Sequence, residues 1–285
     1  MAIPSLGGPL RHATMIVRSF APLLQAYRRL DVHAQADPLP ISAEQAQAWG
    51  HDDLAGCLQL MLAPAGTQAP LLRLIEHPDA SVRPTRHAHG WLALEILVRD
   101  VDQIAATLAG DGSGFDIVGP PADLDLSPAI RAMQVIGPAG EMLYLTQVKA
   151  PVPPFQIPLS AHLSRHVTLG LLFIAVLSTA SRSDTVARCA TWGCGQVLSF
   201  ETKITVLNRA LGHDIGRRWP VATVQWQGNS LFEIDEVVDA AVRPAALATH
   251  RLPSGLAWVA MVLPQAPSAT LFEVSPGAWI EPLEV

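Results

Sequence analysis

The sequence predicts an α+β protein built from tandem copies of one small strand–helix–strand–strand–strand unit. A short apolar strand meets a helix at Val17-Arg18-Ser19, and the same kind of joint returns 81 residues later at Val98-Arg99-Asp100. Ser and Asp are good N-cap residues, so each joint marks the start of a helix. With 49% hydrophobic and 15% charged residues, the chain can bury a sizeable core.

The first unit can be followed from its joint. After the strand at residues 15–19, residues 21–30 place apolar side chains three and four positions apart, which predicts an amphipathic helix. Two further strands follow at residues 56–62 and 71–76. This order gives one complete unit.

The second unit repeats the pattern with a clearer end. A strand that ends at Val98 precedes a predicted helix at residues 101–108, and strands follow at residues 132–136 and 141–148. Between these last two strands, Gly137-Pro138-Ala139-Gly140 supplies proline and glycine where a tight turn requires them.

The second half of the chain repeats the unit less clearly. We expect a strand at residues 171–177, mostly helix at residues 184–212, a hairpin around Gly228, and a strand at residues 256–263. This pattern indicates a third unit and a truncated fourth. Proline resists both helix interiors and central strands, so we predict a domain at 9–149, a proline-rich linker at 150–160, and a second domain at 161–285.

Charge and apolar patterning exclude several classes of partner. The net charge is −6 and no basic run occurs, which argues against nucleic acid and anionic membranes. The longest apolar run, residues 169–177, is far short of the roughly 20 residues of a membrane helix. We see no signal peptide, and three cysteines fit a reducing, cytoplasmic compartment. Four units can complete their sheet edges within one chain or across two, which leaves monomer and homodimer open.

The two joints and the Gly-Pro-Ala-Gly hairpin that leads into Glu141-Met142-Leu143-Tyr144-Leu145 resemble the glyoxalase, bleomycin-resistance and extradiol-dioxygenase (vicinal oxygen chelate) superfamily. The resemblance covers residues 9–149 and, more weakly, 169–264. It implies cupped mixed β-sheets made by paired units, with helices packed outside. It also implies a divalent metal held by His, Gln or Glu from the first strand and Glu from the last strand of each unit.

The positions that match those ligands in the first two units hold His12, Arg73, Ala93 and Tyr144. His12 is the metal-ligand candidate in this set. Arg73 repels a cation and alanine cannot ligate, so we expect the ligand set to be incomplete and a bound metal to be disfavoured. In the second half only Glu233 matches, which disfavours extradiol ring cleavage.

Strand alternation suggests which side chains share a wall. His12 and Thr14 lie on one face of the first strand, and we expect Arg73, Glu95 and Tyr144 to complete the same concave wall. In that arrangement His12 and Glu95 exchange protons. Arg73 anchors an anion and Tyr144 donates to a developing oxyanion.

Two further residues belong to this predicted pocket as substrate contacts. Thr14 lies beside His12, and Trp91 stands at a strand entrance where it can form the rim or cap the core. A structural alternative is also open, in which Arg73 and Glu95 form a buried ion pair.

These residues favour a glyoxalase-like enzyme that acts on a small oxygenated, possibly aromatic, organic substrate by lyase or isomerase chemistry with proton transfer. A non-catalytic protein that sequesters a small molecule, as bleomycin-resistance proteins do, is the first alternative, and an extradiol dioxygenase-like protein is the second. An inert scaffold with a filled pocket is a third. A pocket in which His12 and Glu95 face an open cavity favours an enzyme, whereas a largely apolar pocket with Arg73 and Glu95 locked together favours a binding protein.

Overall fold

Two eight-stranded mixed β-sheets dominate the computed structural model, which describes residues 7–81, 85–125, 127–243, 254–263 and 270–284. This architecture confirms the α+β class predicted from the sequence. In the described part of the chain, no helix has both the length and the apolar character needed to cross a membrane.

The first half of the chain contains two units in the predicted order. Its elements are β1 Leu10–Val17, α1 Ala21–Tyr27, β2 Val32–Ala34, β3 Leu39–Pro40, α2 Ala43–Trp49, β4 Leu58–Pro64, β5 Leu72–Glu76, β6 Gly90–Val98, α3 Val101–Leu108, β7 Asp116–Leu124, β8 Ser127–Ile136 and β9 Met142–Val148. At the second joint the Asp100 carboxylate accepts hydrogen bonds from the backbone N–H groups of Asp102 and Gln103, both at 3.0 Å. At the first joint Phe20 is the N-cap, so the Ser19 cap expected from the sequence is wrong by one position.

The second half contains a third unit and a shortened fourth. Its elements are β10 Leu169–Thr179, α4 Arg182–Ala190, β11 Val197–Lys203, α5 Thr205–Ala210, β12 Arg218–Trp226, β13 Ser230–Glu236, β14 Gly255–Val262, β15 Phe272–Ser275 and β16 Ala278–Leu283. The predicted strand at 171–177 and the hairpin around Gly228 are present. The stretch expected to be mostly helical instead contains β11 between two short helices.

The strand order pairs the units in an unexpected way. The first sheet runs β15-β16-β14-β1-β5-β4-β2, with β3 beside β4, and the second runs β11-β12-β13-β10-β6-β9-β8-β7. The first unit therefore shares a sheet with the last strands of the chain, and the second unit shares a sheet with the third. Each sheet draws strands from both sides of the proline-rich linker.

The two faces of each sheet pack against different helices and loops. One large core joins a face of each sheet to α1, α3 and α4 through residues such as Leu23, Ile104 and Cys189. The second face of the first sheet packs against α2 and its flanks. The second face of the other sheet packs against α5 and residues 152–163 of the linker region. Helices thus pack against both faces of the sheets.

Candidate functional site

The strand register gathers a group of polar side chains on one face of the first sheet. In the pairing of β1 with β5, Thr14 lies opposite Arg73. In the pairing of β1 with β14, His12 lies opposite Ala260, which in turn lies opposite Glu281 on β16. Directly paired residues point to the same side of a sheet. We call this surface, which carries His12, Thr14, Arg73 and Glu281, the His12 face.

Glu281 lies at the centre of the contacts on the His12 face. Its Oε2 atom is 2.7 Å from Arg73 Nη1 and 3.7 Å from His12 Nε2. Two indole N–H groups also donate to the carboxylate, Trp49 to Oε1 and Trp258 to Oε2, each at 3.1 Å. The side chains of Arg73 and Glu281 are only 10% and 8% exposed, so this is a buried ion pair.

Burial and charge fix the protonation states of these groups. Burial alone would raise the pKa of Glu281, but its contacts with His12 and Arg73 outweigh that effect and lower the pKa from 4.5 to about 2. Burial lowers the pKa of His12 below 6.5. Glu281 raises this pKa and the Arg73 charge lowers it, but the effect of burial is the largest. At neutral pH the carboxylate is therefore ionised and the imidazole is neutral.

Several polar atoms on this face are buried without a hydrogen-bond partner among the described residues. They are both ring nitrogens of His12, the Thr14 hydroxyl and the Nε atom of Arg73. The distance of 3.7 Å between His12 and Glu281 is too long for a hydrogen bond. An unpartnered buried polar atom costs about 1–3 kcal/mol, so a group of four suggests an unfilled binding role.

The donor set of the His12 face does not fit a divalent cation. The register brings His12, Arg73, Ala260 and Glu281 together on one face, and of these only His12 and Glu281 can ligate a metal. The single carboxylate is already held by the fixed charge of Arg73, which repels a metal ion. Across the described ranges no group of three His, Cys, Asp or Glu residues could hold a metal.

A second polar group lies on the second sheet. Glu95 on β6 is opposite Tyr144 on β9, and Glu233 and Asp235 alternate along β13. We call this surface the Glu95 face. Thr146 donates a hydrogen bond of 2.6 Å to Glu95 Oε1. Burial, followed by the charge of Glu233, raises the pKa of Glu95 to about 8.

The other acids of the Glu95 face are perturbed in the same direction. Burial raises the pKa of Glu233 to about 7. Burial and then the Glu233 charge raise the pKa of Asp235 well above its ordinary value. Tyr144 has a raised pKa because it is buried and surrounded by these carboxyl groups. Each carboxyl group on this face therefore loses its proton at a higher pH than an exposed carboxyl group does.

The structure brings only some of the predicted site residues together. His12, Thr14 and Arg73 lie on the His12 face, but Glu95 and Tyr144 lie in the other sheet, so the predicted common wall is not formed. The physical reason is that β1 pairs with β14, whereas β6 pairs with β10. The proposed acid–base pair of His12 and Glu95 is thus divided, and the ion-pair partner of Arg73 is Glu281.

Trp91 lies away from both polar faces. A register shift in the pairing of β6 with β10 turns it to the opposite side of the second sheet from Glu95. It is fully buried, packs against Phe232, and donates a 2.7 Å hydrogen bond to the Trp279 carbonyl. Trp91 therefore caps the core, and its predicted place at a pocket rim is not the one observed.

Sequence reasoning missed Glu281. It belongs to Ala278–Leu283, a short strand near the end of the chain that the sequence did not predict. The local signal is weak, since Ala278, Trp279 and Ile280 form a short apolar run before Glu281 without apolar–polar alternation. Recognising a last strand of the fourth unit would have placed a carboxylate at the position where the resembling family has Glu.

Comparison with known proteins supports the fold. Neither the family models nor the curated proteins give a match. Among solved structures, glyoxalase I from Zea mays is similar over 96% of this chain and 92% of its own, with a TM-score of 0.56 and 11% identity. A candidate dioxygenase from Bacillus subtilis is similar over 90% of this chain and 71% of its own, with a TM-score of 0.53 and 10% identity. The chain therefore has the fold of the vicinal oxygen chelate superfamily.

Proposed function

We propose that this chain binds a small oxygenated, possibly aromatic, organic compound on the His12 face without a metal ion. The observation that carries the proposal is the group of four unpartnered buried atoms on His12, Thr14 and Arg73. Together they offer an Nε–H donor, a hydroxyl that donates and accepts, and an imidazole with one donor and one acceptor. A compound with two adjacent oxygen atoms can form hydrogen bonds with both these donors and these acceptors.

Aromatic side chains make the same face suitable for a ring. Trp49 and Trp258 pack edge to face, with ring centroids 5.4 Å apart, and both hold Glu281. The Arg73 guanidinium lies 5.0 Å from the Trp49 ring centroid. An apolar wall with few well-placed polar groups is the usual composition of a small-molecule site.

Binding is favoured over the acid–base mechanism predicted from the sequence. Arg73 is locked to Glu281 at 2.7 Å, so its charge is already neutralised and does not anchor a substrate anion. Glu95, the second predicted acid or base, belongs to the other sheet. These two facts support a ligand-binding protein of the bleomycin-resistance kind.

A second candidate function rests on the contact between His12 and Glu281. A neutral imidazole 3.7 Å from an ionised carboxylate can accept a proton from a substrate C–H group, and the carboxylate then offsets the imidazolium charge. The electron pair released from carbon would move to an adjacent carbonyl oxygen held by Thr14. This is lyase or isomerase chemistry on the same oxygenated class of compound.

The test is a fluorescence titration of the protein with catechol, 4-hydroxybenzoate and benzyl alcohol, in wild type and in Thr14→Val. Removing the Thr14 hydroxyl should weaken binding of the preferred probe about tenfold, the value of one hydrogen bond of about 1.4 kcal/mol. Thr107→Val, which removes an exposed hydroxyl on α3, is the matched control and should change nothing.

His12→Gln separates the two candidates. In a binding protein this variant changes affinity and no turnover of any probe is found. In the enzyme it abolishes proton exchange into the bound compound while the affinity changes little. Equal affinities of Thr14→Val and the control variant for every probe would contradict a ligand site on the His12 face.

A further inference from the structure

The unpartnered atoms of the His12 face are closed off from solvent. His12, Thr14 and Arg73 are 4%, 0% and 8% exposed. They lie on β1 and β5, which are inner strands of the first sheet and are hydrogen-bonded to a neighbouring strand on each side. A ring-sized compound therefore reaches these atoms only if a part of the chain that covers the face moves away.

Residues 42–56, which we call the Trp49 loop, cover the His12 face. The loop contains α2 and a helical turn at Asp52–Leu54. Its inner side packs against Ile16 and Ile75, which are directly paired and lie on the same side of β1 and β5 as the polar group. The inner residues of the loop are buried and most of the others are exposed. The loop thus presents one side to the sheet and the other to solvent.

The two ends of the Trp49 loop are joined to each other. The Ile41 N–H donates to the Cys57 carbonyl at 2.8 Å, and the Gly56 N–H donates to the Ile41 carbonyl at 2.9 Å. A side-chain bond of 2.8 Å from Gln59 on β4 to Gln45 supports this base. Gly56 has a φ of +81° and no atom within 4 Å of the place where a Cβ would stand, so the backbone has room to turn there. A compact loop whose ends meet can move as one body.

Trp49 holds the loop to the polar group on the sheet. Its Nε1–H donates to Glu281 Oε1 at 3.1 Å, and its ring lies 5.0 Å from the Arg73 guanidinium. Arg73 and Trp258 both donate to the other carboxylate oxygen, Oε2, so the Trp49 bond can break while the ion pair stays intact. The closed position of the loop over the His12 face therefore depends on this polar contact together with apolar packing.

We propose that the Trp49 loop is a lid over the His12 face and that Trp49 is its latch. A ligand enters when the Trp49 N–H leaves Glu281 and the loop swings outward about its joined ends, and the loop then closes over the bound compound. Loops that admit ligands belong to the parts of a protein that open at a low cost in free energy. This inference rests on the function proposed above, because it describes how a ligand enters and leaves that site.

The experiment measures the rate at which the thiol reagent DTNB labels two variants, after subtraction of the signal from the native cysteines. Ala46→Cys places a thiol on the buried inner side of the loop, and Ala175→Cys places one on β10 in the large core. Ala46→Cys should be labelled about tenfold faster or more, because the loop opens without unfolding of the core.

The latch and the ligand are tested in the Ala46→Cys background. Adding Trp49→Phe should speed labelling about tenfold, the value of one lost hydrogen bond. Trp192→Phe is the matched control, because this half-buried tryptophan packs against Phe272 outside the loop, and it should leave the rate unchanged. A saturating amount of the tightest-binding probe among catechol, 4-hydroxybenzoate and benzyl alcohol, under anaerobic conditions, should slow labelling about tenfold, because the ligand binds beneath the closed loop.

Several outcomes would overturn the lid. Equal labelling of Ala46→Cys and Ala175→Cys would show that the loop opens only when the protein unfolds, and it would leave the ligand site itself in place. A rate that Trp49→Phe does not raise, or that a bound probe does not lower, would also overturn it. Absence of binding by all of these probes in the fluorescence titration would instead refute the proposed function and, with it, the role of the lid. Amide hydrogen exchange of residues 42–56 in the wild type should likewise slow with the bound probe, and unchanged exchange would contradict the lid without depending on the folding of any variant.

Discussion

Replacing Glu281 by glutamine tests the network that organises the His12 face. The substitution keeps the shape and one oxygen acceptor but removes the charge that faces Arg73 at 2.7 Å. The guanidinium is then left buried and unpaired. Truncating one partner of a buried pair typically costs about 3–5 kcal/mol.

The shifted pKa of Glu281 also measures how much its ionised carboxylate stabilises the fold. Its pKa falls from 4.5 to about 2 in the folded protein, and each step of one in pKa is worth about 1.4 kcal/mol. The ionised carboxylate therefore stabilises the fold by about 3 kcal/mol. Because this pKa is depressed, the stabilisation is present above pH 4.5 and is lost as the pH falls towards 2.

The assay is urea unfolding followed by circular dichroism, for the wild type, Glu281→Gln, Arg73→Met and the double variant. We expect each single substitution to lower the free energy of unfolding by about 3 kcal/mol and the double variant to lose less than the sum of the two. Asp102→Asn is the control, since it breaks the Arg131 ion pair of 2.8 Å on the surface and should cost far less.

Strict additivity of the two substitutions would refute the coupling of Arg73 and Glu281. So would a loss for Glu281→Gln no larger than that of Asp102→Asn. In either case Arg73 and Glu281 would not act as a coupled pair, and the unpartnered atoms beside them would lose their significance as a binding site.

Three further predictions concern other parts of the molecule. The pKa of Glu95 is raised from 4.5 to about 8, so the folded protein keeps a proton on this carboxyl group that the unfolded chain loses, and the free energy of unfolding should fall by about 2–3 kcal/mol between pH 6 and pH 9. Glu95→Gln should make the free energy of unfolding less dependent on pH. An unchanged pH dependence of this variant in urea unfolding would contradict the prediction. Tyr27→Phe removes the 2.9 Å hydrogen bond to buried Glu141 and should cost about 1–3 kcal/mol in thermal unfolding, whereas a loss within error would show that the pair is unimportant. Trp91→Phe should lower stability by loss of its bond to Trp279 and leave probe affinities unchanged, and a specific loss of affinity would return Trp91 to the binding surface.

Helices and buried strands could be predicted because caps and apolar spacing are encoded within the element itself. The N-cap at Asp100 and the spacing of Val101, Ile104 and Leu108 predicted the helix Val101–Leu108 with its observed bounds. The edge strands were missed for the opposite reason. Asp116–Leu124 includes Gly and two prolines, which edge strands tolerate, and the half-exposed strand Val197–Lys203 lacks a clean apolar alternation.

The composition of the site could not be predicted because it depends on which strands pair. An apolar strand pattern shows that a strand is buried but not which strand lies beside it. Pairing of the first strand with the end of the chain brought Glu281 to His12 and separated both from Glu95. Residues 208 or more positions apart in sequence therefore meet in one network.

On the proposed function, the His12 face binds its ligand without a metal, because its carboxylate, Glu281, is already paired with Arg73. The most direct measurement is elemental analysis of the purified protein combined with the same probe titration before and after EDTA treatment. We expect sub-stoichiometric metal and an unchanged affinity for the preferred oxygenated probe. Loss of that affinity after EDTA, restored by one equivalent of Zn²⁺ or Mn²⁺, would contradict it.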